Sequence, residues 1–535
     1  MAHPAQRRWY PIPIITALLL VLPIAVLLLS WHSIDREIWQ HLWDTQLTRL
    51  VGNTLTLVFG VGIGVILLGV SLAWLTSLCE FPGRKWLDWA LMLPFAIPAY
   101  VLAFVFVGLL DFSGPIQTFM REVLEIKMRM PRVRSTGGII IVFVLVFYPY
   151  VYLLARSAFL SQGKGLMEAA RVLGLSPLQA FWRVALPVAR PAIGAGLALA
   201  LMETLADFGA VSVFNFDTFT TAVYKTWYGF YSLSSATQLA SLLLLFVALL
   251  IFAERKAHGA IRPSNERPRG KALYPLKGLK AGLAFTWCFL VFLCAFILPV
   301  IQLIAWFFQR GYQDLDERYW SLISHTLILG ASAAAITVTV ALLLAFTKRF
   351  AGRSWVKALI GFSNLGYAIP GSVLAVAIML AFTYFDNFLI DTLGWKGQAF
   401  LMGSLGALLI AYLIRFIAVA FNPLDASLAR IKPSIPEASR SLGVAGFSLF
   451  RRIYFPLLLP GVLSASLLVF VDVLKEMPAT LIMRPFGWDT LAVRIFEMTS
   501  EGEWARASLP ALTLVLVGLL PVILLIRRSA KSVGH

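Results

Sequence analysis

The stretch Glu168-Ala-Ala-Arg171, followed by Gly174, decides how this 535-residue chain is organised. A second stretch, Glu437-Ala-Ser-Arg440 followed by Gly443, repeats it at a constant offset of 269 residues. Each copy is polar and leads into an apolar segment. A polar loop that occurs twice at one spacing predicts a docking surface presented twice, and therefore a partner with two-fold symmetry.

Composition predicts a membrane protein. Hydrophobic residues make up 59% of the chain and charged residues only 13%, which is too little charge to cover a water-soluble protein of this length. Apolar runs of roughly 20 residues recur, the length that crosses about 30 Å of hydrocarbon. These runs lack an alternation of period two, so they are predicted to be helices and not barrel strands. We predict twelve spans, near residues 12–30, 51–78, 88–110, 138–158, 188–210, 236–253, 281–308, 323–346, 358–384, 399–421, 457–482 and 507–526.

The net charge of +18 is distributed unevenly over the segments between these spans. With the amino terminus in the cytoplasm, the segments on the opposite side carry 14 Lys or Arg and 16 Asp or Glu. The basic excess therefore belongs to the cytoplasmic face, as the positive-inside rule requires, and both termini are predicted to be cytoplasmic. This asymmetry explains the basic charge without nucleic acid, so no nucleic-acid partner is expected.

The repeat extends beyond the two polar loops. Phe81-Pro-Gly-Arg84 matches Phe350-Ala-Gly-Arg353 at the same offset, and Ala96-Ile-Pro98 matches Ala368-Ile-Pro370 with a small shift. We therefore predict an all-α membrane protein of two tandem, pseudo-symmetric six-helix halves. Both halves begin on the same side of the membrane, so an axis along the membrane normal relates them, and a pathway on that axis is expected. The predicted divisions are a first half at 1–253 with its loop at 161–187, a basic cytoplasmic linker at 254–280, and a second half at 281–535 with its loop at 430–456.

Four acidic residues inside the spans recur at the same offset: Glu203 and Asp207 match Asp472 and Glu476. The members of each pair are four residues apart and share one helix face. A carboxylate in the membrane costs about 2.5–3.5 kcal/mol on insertion scales, so four of them need an explanation. They can line a pathway for a cation, because carboxylate oxygens suit hard, highly charged cations. They can instead cap helix ends or pair locally, as Asp472 with Lys475, and the sequence leaves both interpretations open.

The repeated pattern of Glu-Ala-Ala/Ser, a glycine six residues after the glutamate and a Leu/Phe-Pro ending resembles the permease subunits of binding-protein-dependent ABC importers. The resemblance covers nearly the whole chain, twice. It implies the type I importer fold, two coupling loops that dock on a homodimer of an ABC ATPase, and a periplasmic binding protein that delivers the substrate. It also implies a multi-pass protein of the bacterial inner membrane. Carried over by position, the coupling-loop residues are Glu168, Ala169, Ala170, Gly174, Glu437, Ala438, Ser439 and Gly443.

The chain contains no GxxxxGK[ST] phosphate loop, so it is expected to be a transport subunit and not an enzyme. No cofactor is expected in the chain itself, because ATP and magnesium would bind the partner ATPase. The three cysteines and six histidines show no metal-type spacing, so no resident metal site is expected either.

The substrate is indicated by two segments, Glu203–Gly209 and Val471–Thr480, which resemble the ferric-iron branch of this importer family. Relatives for thiamine, polyamines or phosphonates share much of the pattern and stay open as alternatives. A proton-driven secondary transporter, with the carboxylates as proton relays, is the alternative from a different class. It gives the repeated cytoplasmic loops no role.

Overall fold

The computed structural model describes residues 9–125, 132–161, 167, 169–170, 172–257, 274–351, 353–393 and 401–533. Within these ranges, twelve helices are long and apolar enough to cross a membrane. The predicted all-helical fold class is confirmed. Two short strands, β1 (Cys79–Glu80) and β2 (Tyr274–Pro275), pair in parallel and join the chain after the second span to the end of the linker.

The helices of the chain follow one another with short 3₁₀ or π turns between several of them. Those up to residue 257 are α1 (Pro11–Leu29), α2 (Arg36–Leu42), α3 (Thr48–Leu78), α4 (Arg84–Ala90), α5 (Ala99–Leu110), α6 (Pro115–Glu122), α7 (Thr136–Ser161), α8 (Pro177–Ala180), α9 (Leu186–Ala206), α10 (Gly209–Val213), α11 (Phe219–Phe230) and α12 (Leu233–Ala257). Those after it are α13 (Leu279–Phe292), α14 (Leu298–Gln309), α15 (Glu317–Ala351), α16 (Ser354–Ser363), α17 (Gly371–Leu393), α18 (Leu405–Ala429), α19 (Ser434–Ser441), α20 (Gly446–Leu449), α21 (Phe455–Lys475), α22 (Pro478–Met483), α23 (Leu491–Ser500) and α24 (Trp504–Val533).

The sequence repeat reappears in the positions where helices begin. Five pairs start 269 residues apart, namely α3 and α15, α7 and α18, α8 and α20, α9 and α21, and α10 and α22. The packing repeats as well, because α3 contacts α7 and α9 while α15 contacts α18 and α21. The two copies therefore share the same local architecture as well as the same motif.

Two of the spans predicted from the sequence begin earlier than the corresponding long helices of the structure. The spans expected at 88–110 and 358–384 are each broken, and their long helices start only at Ala99 and Gly371. Proline causes both breaks, since it has no backbone N–H and pushes the preceding residue into an extended conformation. Ile97 and Ile369, which precede Pro98 and Pro370, accordingly have ψ angles of 120° and 123°.

The helices pack into two compact units. The first unit comprises residues 1–36, 223–241 and 317–493. In it α1 packs against α16 and α17, and Ser363 Oγ donates a 3.2 Å hydrogen bond to Thr16 Oγ1 on α1. The amide of Gln238 near the start of α12 also donates to the carbonyl oxygen of Ser30 at 2.6 Å.

The second unit comprises residues 37–222, 242–316 and 494–535. Here α14 and α24 pack together, and both contact α5. The rings of Trp306 and Trp504 stack on Phe104 at 6.1 and 6.4 Å. Each unit thus takes helices from both halves of the sequence, so division by packing differs from division by repeat.

Candidate functional site

In the first repeated loop, a short helical turn ends at a glycine whose backbone is in the left-handed conformation. Glu168 lies outside the described residues, Ala169 is exposed, and Ala170 is only 3% exposed. Gly174 has a φ of +79°, and the N–H of Leu175 donates to the carbonyl oxygen of Ala170 at 3.0 Å. This bond is one of the two that define the Schellman ending of a helix.

The second repeated loop has the same ending, with both bonds described. Glu437 and Ala438 on α19 are exposed, whereas Ser439 is 8% exposed. Gly443 also has a φ of +79°; its N–H donates to Arg440 at 3.0 Å, and that of Val444 donates to Ser439 at 2.9 Å. Ala170 and Ser439 occupy the same position in the two loops, and both are buried. Burial explains why each copy has a small residue there.

Both loops carry large apolar side chains that the chain itself does not cover. Leu173 is 80% exposed and its counterpart Leu442 is 83% exposed. Trp182 on the first loop and Phe447 on the second are exposed as well. Apolar groups beside polar helix ends are typical of a surface that another protein covers. The two loops therefore present similar, unpartnered faces within the described residues.

A π-helical turn connects each loop to a membrane helix. The turns span Phe181–Ala185 and Phe450–Tyr454, and they run directly into α9 and α21. Phe181 packs edge-on against Trp74 at 4.9 Å, and Phe450 packs against Phe346 at 5.9 Å. π-turns are rare and frequently occur at functional sites. Each loop is thus fixed both to the helix that follows it and to the long helix beside it.

At the far end of these membrane helices lie the predicted intramembrane carboxylates. Helix α9 ends at Ala206 and α10 begins at Gly209, and Asp207 Oδ1 accepts hydrogen bonds from the N–H groups of Ala210 and Val211 at 2.9 and 3.3 Å. A broken helix in a membrane exposes N–H groups that must find partners inside the protein. Asp207 supplies such a partner.

Glu476 does the same in the second half. It follows the end of α21, and its Oε1 and Oε2 accept from the N–H groups of Ala479 and Thr480, each at 3.1 Å. Thr480 Oγ1 in turn bonds the buried Tyr412 hydroxyl at 2.6 Å. Helix capping, one of the two interpretations left open by the sequence, thus describes the contacts of Asp207 and Glu476.

Glu203 and Asp472 lie one turn before the capping carboxylates. Both are half-buried in their helices. Asp472 is close enough to Lys475 for an electrostatic interaction, as their i,i+3 spacing predicts, and Glu203 interacts with Asp207. The helices α9 and α21 therefore both end in charged side chains that interact with one another.

Sequence reasoning missed Arg415, which stands inside the apolar helix α18. Its Nη1 donates to the carbonyl oxygen of Ile369 at 2.8 Å. A Cβ added to Gly371 would lie 2.4 Å from Glu476 Oε1 and 3.3 Å from Arg415 Nη1, so these two atoms of opposite charge are at most about 5.7 Å apart. The corresponding position of the first half is Val146. An arginine within an apolar run is itself a sequence signal. Comparison of the acidic residues of the two halves does not detect it.

The described residues contain no group of three or more His, Cys, Asp or Glu side chains that could hold a metal ion. The described cysteines, Cys79, Cys288 and Cys294, are free thiols.

The twelve apolar helices, together with two repeated loops that expose apolar side chains, define a multi-pass membrane permease. The chain belongs to the family of inner-membrane components of binding-protein-dependent transport systems, whose description its residues 66–256 match. It is 30% identical over 500 residues to the Fe(3+)-transport system permease protein FbpB 2 of Haemophilus influenzae, covering 92% of each chain. It is 24% identical over 494 residues to the ferric transport system permease protein FbpB of Actinobacillus pleuropneumoniae, covering 86% of this chain and 68% of the relative.

A third relative matches a smaller part. The sulfate transport system permease protein CysT of Salmonella typhimurium is 30% identical over 198 residues, which cover 36% of this chain and 69% of its own length. The family and the relatives that match over most of the chain identify a transport permease of the inner membrane, of the ABC importer type.

Proposed function

We propose that this chain is the membrane-spanning subunit of an ATP-driven importer that moves ferric iron from a periplasmic binding protein into the cytoplasm. The proposal of ferric iron as the substrate rests on the match to a permease named for Fe(3+) transport, which extends over 92% of both chains. The relative named for sulfate aligns with only 36% of this chain. Importers for thiamine, polyamines or phosphonates are the alternatives within the class.

The two repeated loops are proposed to dock on two copies of an ATPase at the cytoplasmic face, where both termini would also lie. Support comes from their shared form, a helix closed by a left-handed glycine beside an exposed leucine, at Leu173 and at Leu442. Because the loops match in geometry, a homodimer can engage both with one surface. ATP would bind and be hydrolysed on that partner, and no cofactor would reside in this chain.

Movement of a loop would be transmitted through the helix that follows it. Helix α9 has 21 residues, so it extends for about 30 Å from the loop to Asp207. Helix α21 also has 21 residues and leads from the second loop to Glu476. A rigid helix cannot absorb displacement at one end, so closure of the ATPase dimer would shift the capped helix breaks at the other.

The four carboxylates are proposed to act at these breaks. Asp207 and Glu476 would hold the short helices α10 and α22 in place through their backbone hydrogen bonds. Glu203 and Asp472, half-buried one turn earlier, would face the passing cation. Carboxylate oxygens are the ligand type that hard Fe(3+) prefers, while a binding protein would have selected the ion beforehand.

Charge reversal at the two loops tests this function. Glu168→Lys and Glu437→Lys, singly and together, are introduced into the full chain expressed with its ATPase. Uptake of labelled ferric iron and co-purification of the ATPase are measured for each variant. We expect each single change to weaken both and the double change to abolish both, since Glu437 is exposed in the first turn of α19 and a carboxylate there favours a cationic partner, and Glu168 is its counterpart in the repeat.

Glu37→Lys provides the matched control, because Glu37 is exposed and lies on the face predicted to be periplasmic. It should leave uptake and co-purification unchanged. If uptake and ATPase co-purification both survive in the double variant, the importer mechanism fails. Uptake that needs no ATPase and disappears with a protonophore would instead establish the secondary transporter.

A further inference from the structure

A cleft of about 580 Å³ opens beside the second loop, where α15 ends. Its charged lining residues are Lys348, Arg349, Lys357, Asp425, Glu437 and Arg440. Four cations against two anions make it basic, and we call it the basic cleft. It lies on the side of the membrane that the charge pattern predicts to be cytoplasmic.

Two of these cations are already engaged by the protein. Lys348 Nζ pairs with Asp425 Oδ2 at 2.7 Å. Arg349 donates to the carbonyl oxygen of Leu428 and, at 2.6 Å, to that of Ile431. These contacts hold the end of α15 against the end of α18. Lys348 and Arg349 therefore have a structural role.

The other two cations have no such role. The side chains of Lys357 and Arg440 are exposed, and neither makes a hydrogen bond or ion pair within the described part of the chain. They stand on different helices, α16 and α19. Two unengaged cations on the lining of one cleft attract an anion more strongly than either does alone.

A buried hydroxyl adds a third feature. Tyr454 lines the cleft, is 3% exposed, and its hydroxyl has no hydrogen-bond partner among the described residues. A buried hydroxyl left unpaired costs free energy, so it is expected to find a ligand. As a donor it suits the same anion that Lys357 and Arg440 would attract.

The first half lacks two of these three features at the corresponding positions, because only Arg440 has a basic counterpart, Arg171. Lys357 corresponds to Asp88, and Tyr454 corresponds to Ala185. Asp88 is bound in a bidentate ion pair with Arg156 at 2.5 and 2.6 Å. Lys357 and the Tyr454 hydroxyl are therefore particular to the second half, whereas Arg440 is shared with the first.

We propose that the basic cleft binds a phosphate group, held by Lys357, Arg440 and the Tyr454 hydroxyl. The headgroup of an anionic phospholipid and free phosphate from the cytoplasm present the same chemistry. Basic pockets between membrane helices on the cytoplasmic side are known to recognise phospholipid headgroups. The proposal is independent of which substrate the permease carries.

The test measures phosphatidylglycerol binding to the full chain, purified in a non-ionic detergent, by native mass spectrometry. Two variants are compared with the unmodified chain, Lys357→Gln with Arg440→Gln, and Tyr454→Phe. Removal of two cations should weaken binding about 30-fold, from about 1 kcal/mol for each. Loss of one hydrogen bond to a charged group should weaken it about 10-fold.

Lys277→Gln with Lys280→Gln is the matched control, because it removes two exposed cations from the same predicted face. It should bind lipid as the unmodified chain does. If inorganic phosphate competes with the lipid for the unmodified chain only, the source is soluble phosphate; if it does not compete, the source is the lipid. Lipid binding that is equal in all variants would overturn the proposal. So would a loss of ATPase co-purification in the cation variant with lipid binding intact, since the cleft would then be an ATPase contact.

Discussion

Replacement of Arg415 by methionine probes whether it balances the charge of Glu476 inside the membrane. Methionine keeps much of the volume of the arginine stem but removes the guanidinium. Glu476 would then keep its backbone hydrogen bonds as a buried carboxylate but lose the nearby positive charge of Arg415. Removal of one partner from a buried charge pair is strongly destabilising, whereas removal of both is far less so.

The magnitude follows from the position of Gly371 between the two groups. Glu476 Oε1 and Arg415 Nη1 lie 2.4 and 3.3 Å from the point where a Cβ of Gly371 would stand, so the two atoms are at most about 5.7 Å apart. Two unit charges at that distance attract each other by about 3 kcal/mol at an effective dielectric constant of 20. We therefore expect a coupling free energy of about 2–3 kcal/mol.

The assay is a double-mutant cycle of Arg415→Met, Glu476→Gln and the combined variant, with the free energy of unfolding taken from titration with sodium dodecyl sulfate. Arg415→Met alone should be the least stable, and the added Glu476→Gln should restore most of the loss. The matched cycle of Val146→Ala and Asp207→Asn in the first half should show little coupling, because Val146 carries no charge. A coupling below about 0.5 kcal/mol in the Arg415 cycle would refute the reasoning.

Three further predictions concern single side chains. Gly443→Ala should cost about 1–2 kcal/mol because of its left-handed backbone, with Gly443→Asn milder; hydrogen exchange at the loop amides and ATPase co-purification measure the effect, and equal values for alanine and glycine would contradict it. Ser439→Leu should lower the thermal midpoint through about 1–3 kcal/mol of overpacking, whereas the exposed Ala438→Leu should not; equal midpoints would show that the buried position tolerates bulk. Arg506→Met should change stability by about 1 kcal/mol or less, although Arg506 makes a bidentate pair with Asp314, because the two side chains are 41% and 16% exposed; a larger loss in the same melts would show that the pair is not screened.

The repeat made much of the local structure predictable. The 269-residue offset anticipated helices that begin at matched positions, such as α9 and α21, because identical spacing of apolar runs and prolines imposes identical helix bounds. Gly174 and Gly443 were found in the same way, since the left-handed ending of a helix favours glycine.

Other features depend on contacts that distant parts of the chain make. Hydropathy describes α1 as an apolar helix but does not say that it packs against α16 and α17. The same limit applies to Arg415, whose relation to Glu476 is created by the approach of α18 to the break after α21. The starts at Ala99 and Gly371 were missed for a simpler reason, because the apolar runs continue through prolines that end the preceding turns.

The most direct test of the account is uptake of labelled ferric iron into proteoliposomes that hold this chain with its ATPase, with the loaded binding protein on the outside. We predict uptake that requires ATP inside the vesicle, that is lost with Glu168→Lys and Glu437→Lys together, and that is insensitive to a protonophore. Uptake that proceeds without ATP, or that survives reversal of both loop charges, would contradict the claim that the duplicated loops couple an ATPase to the membrane pathway.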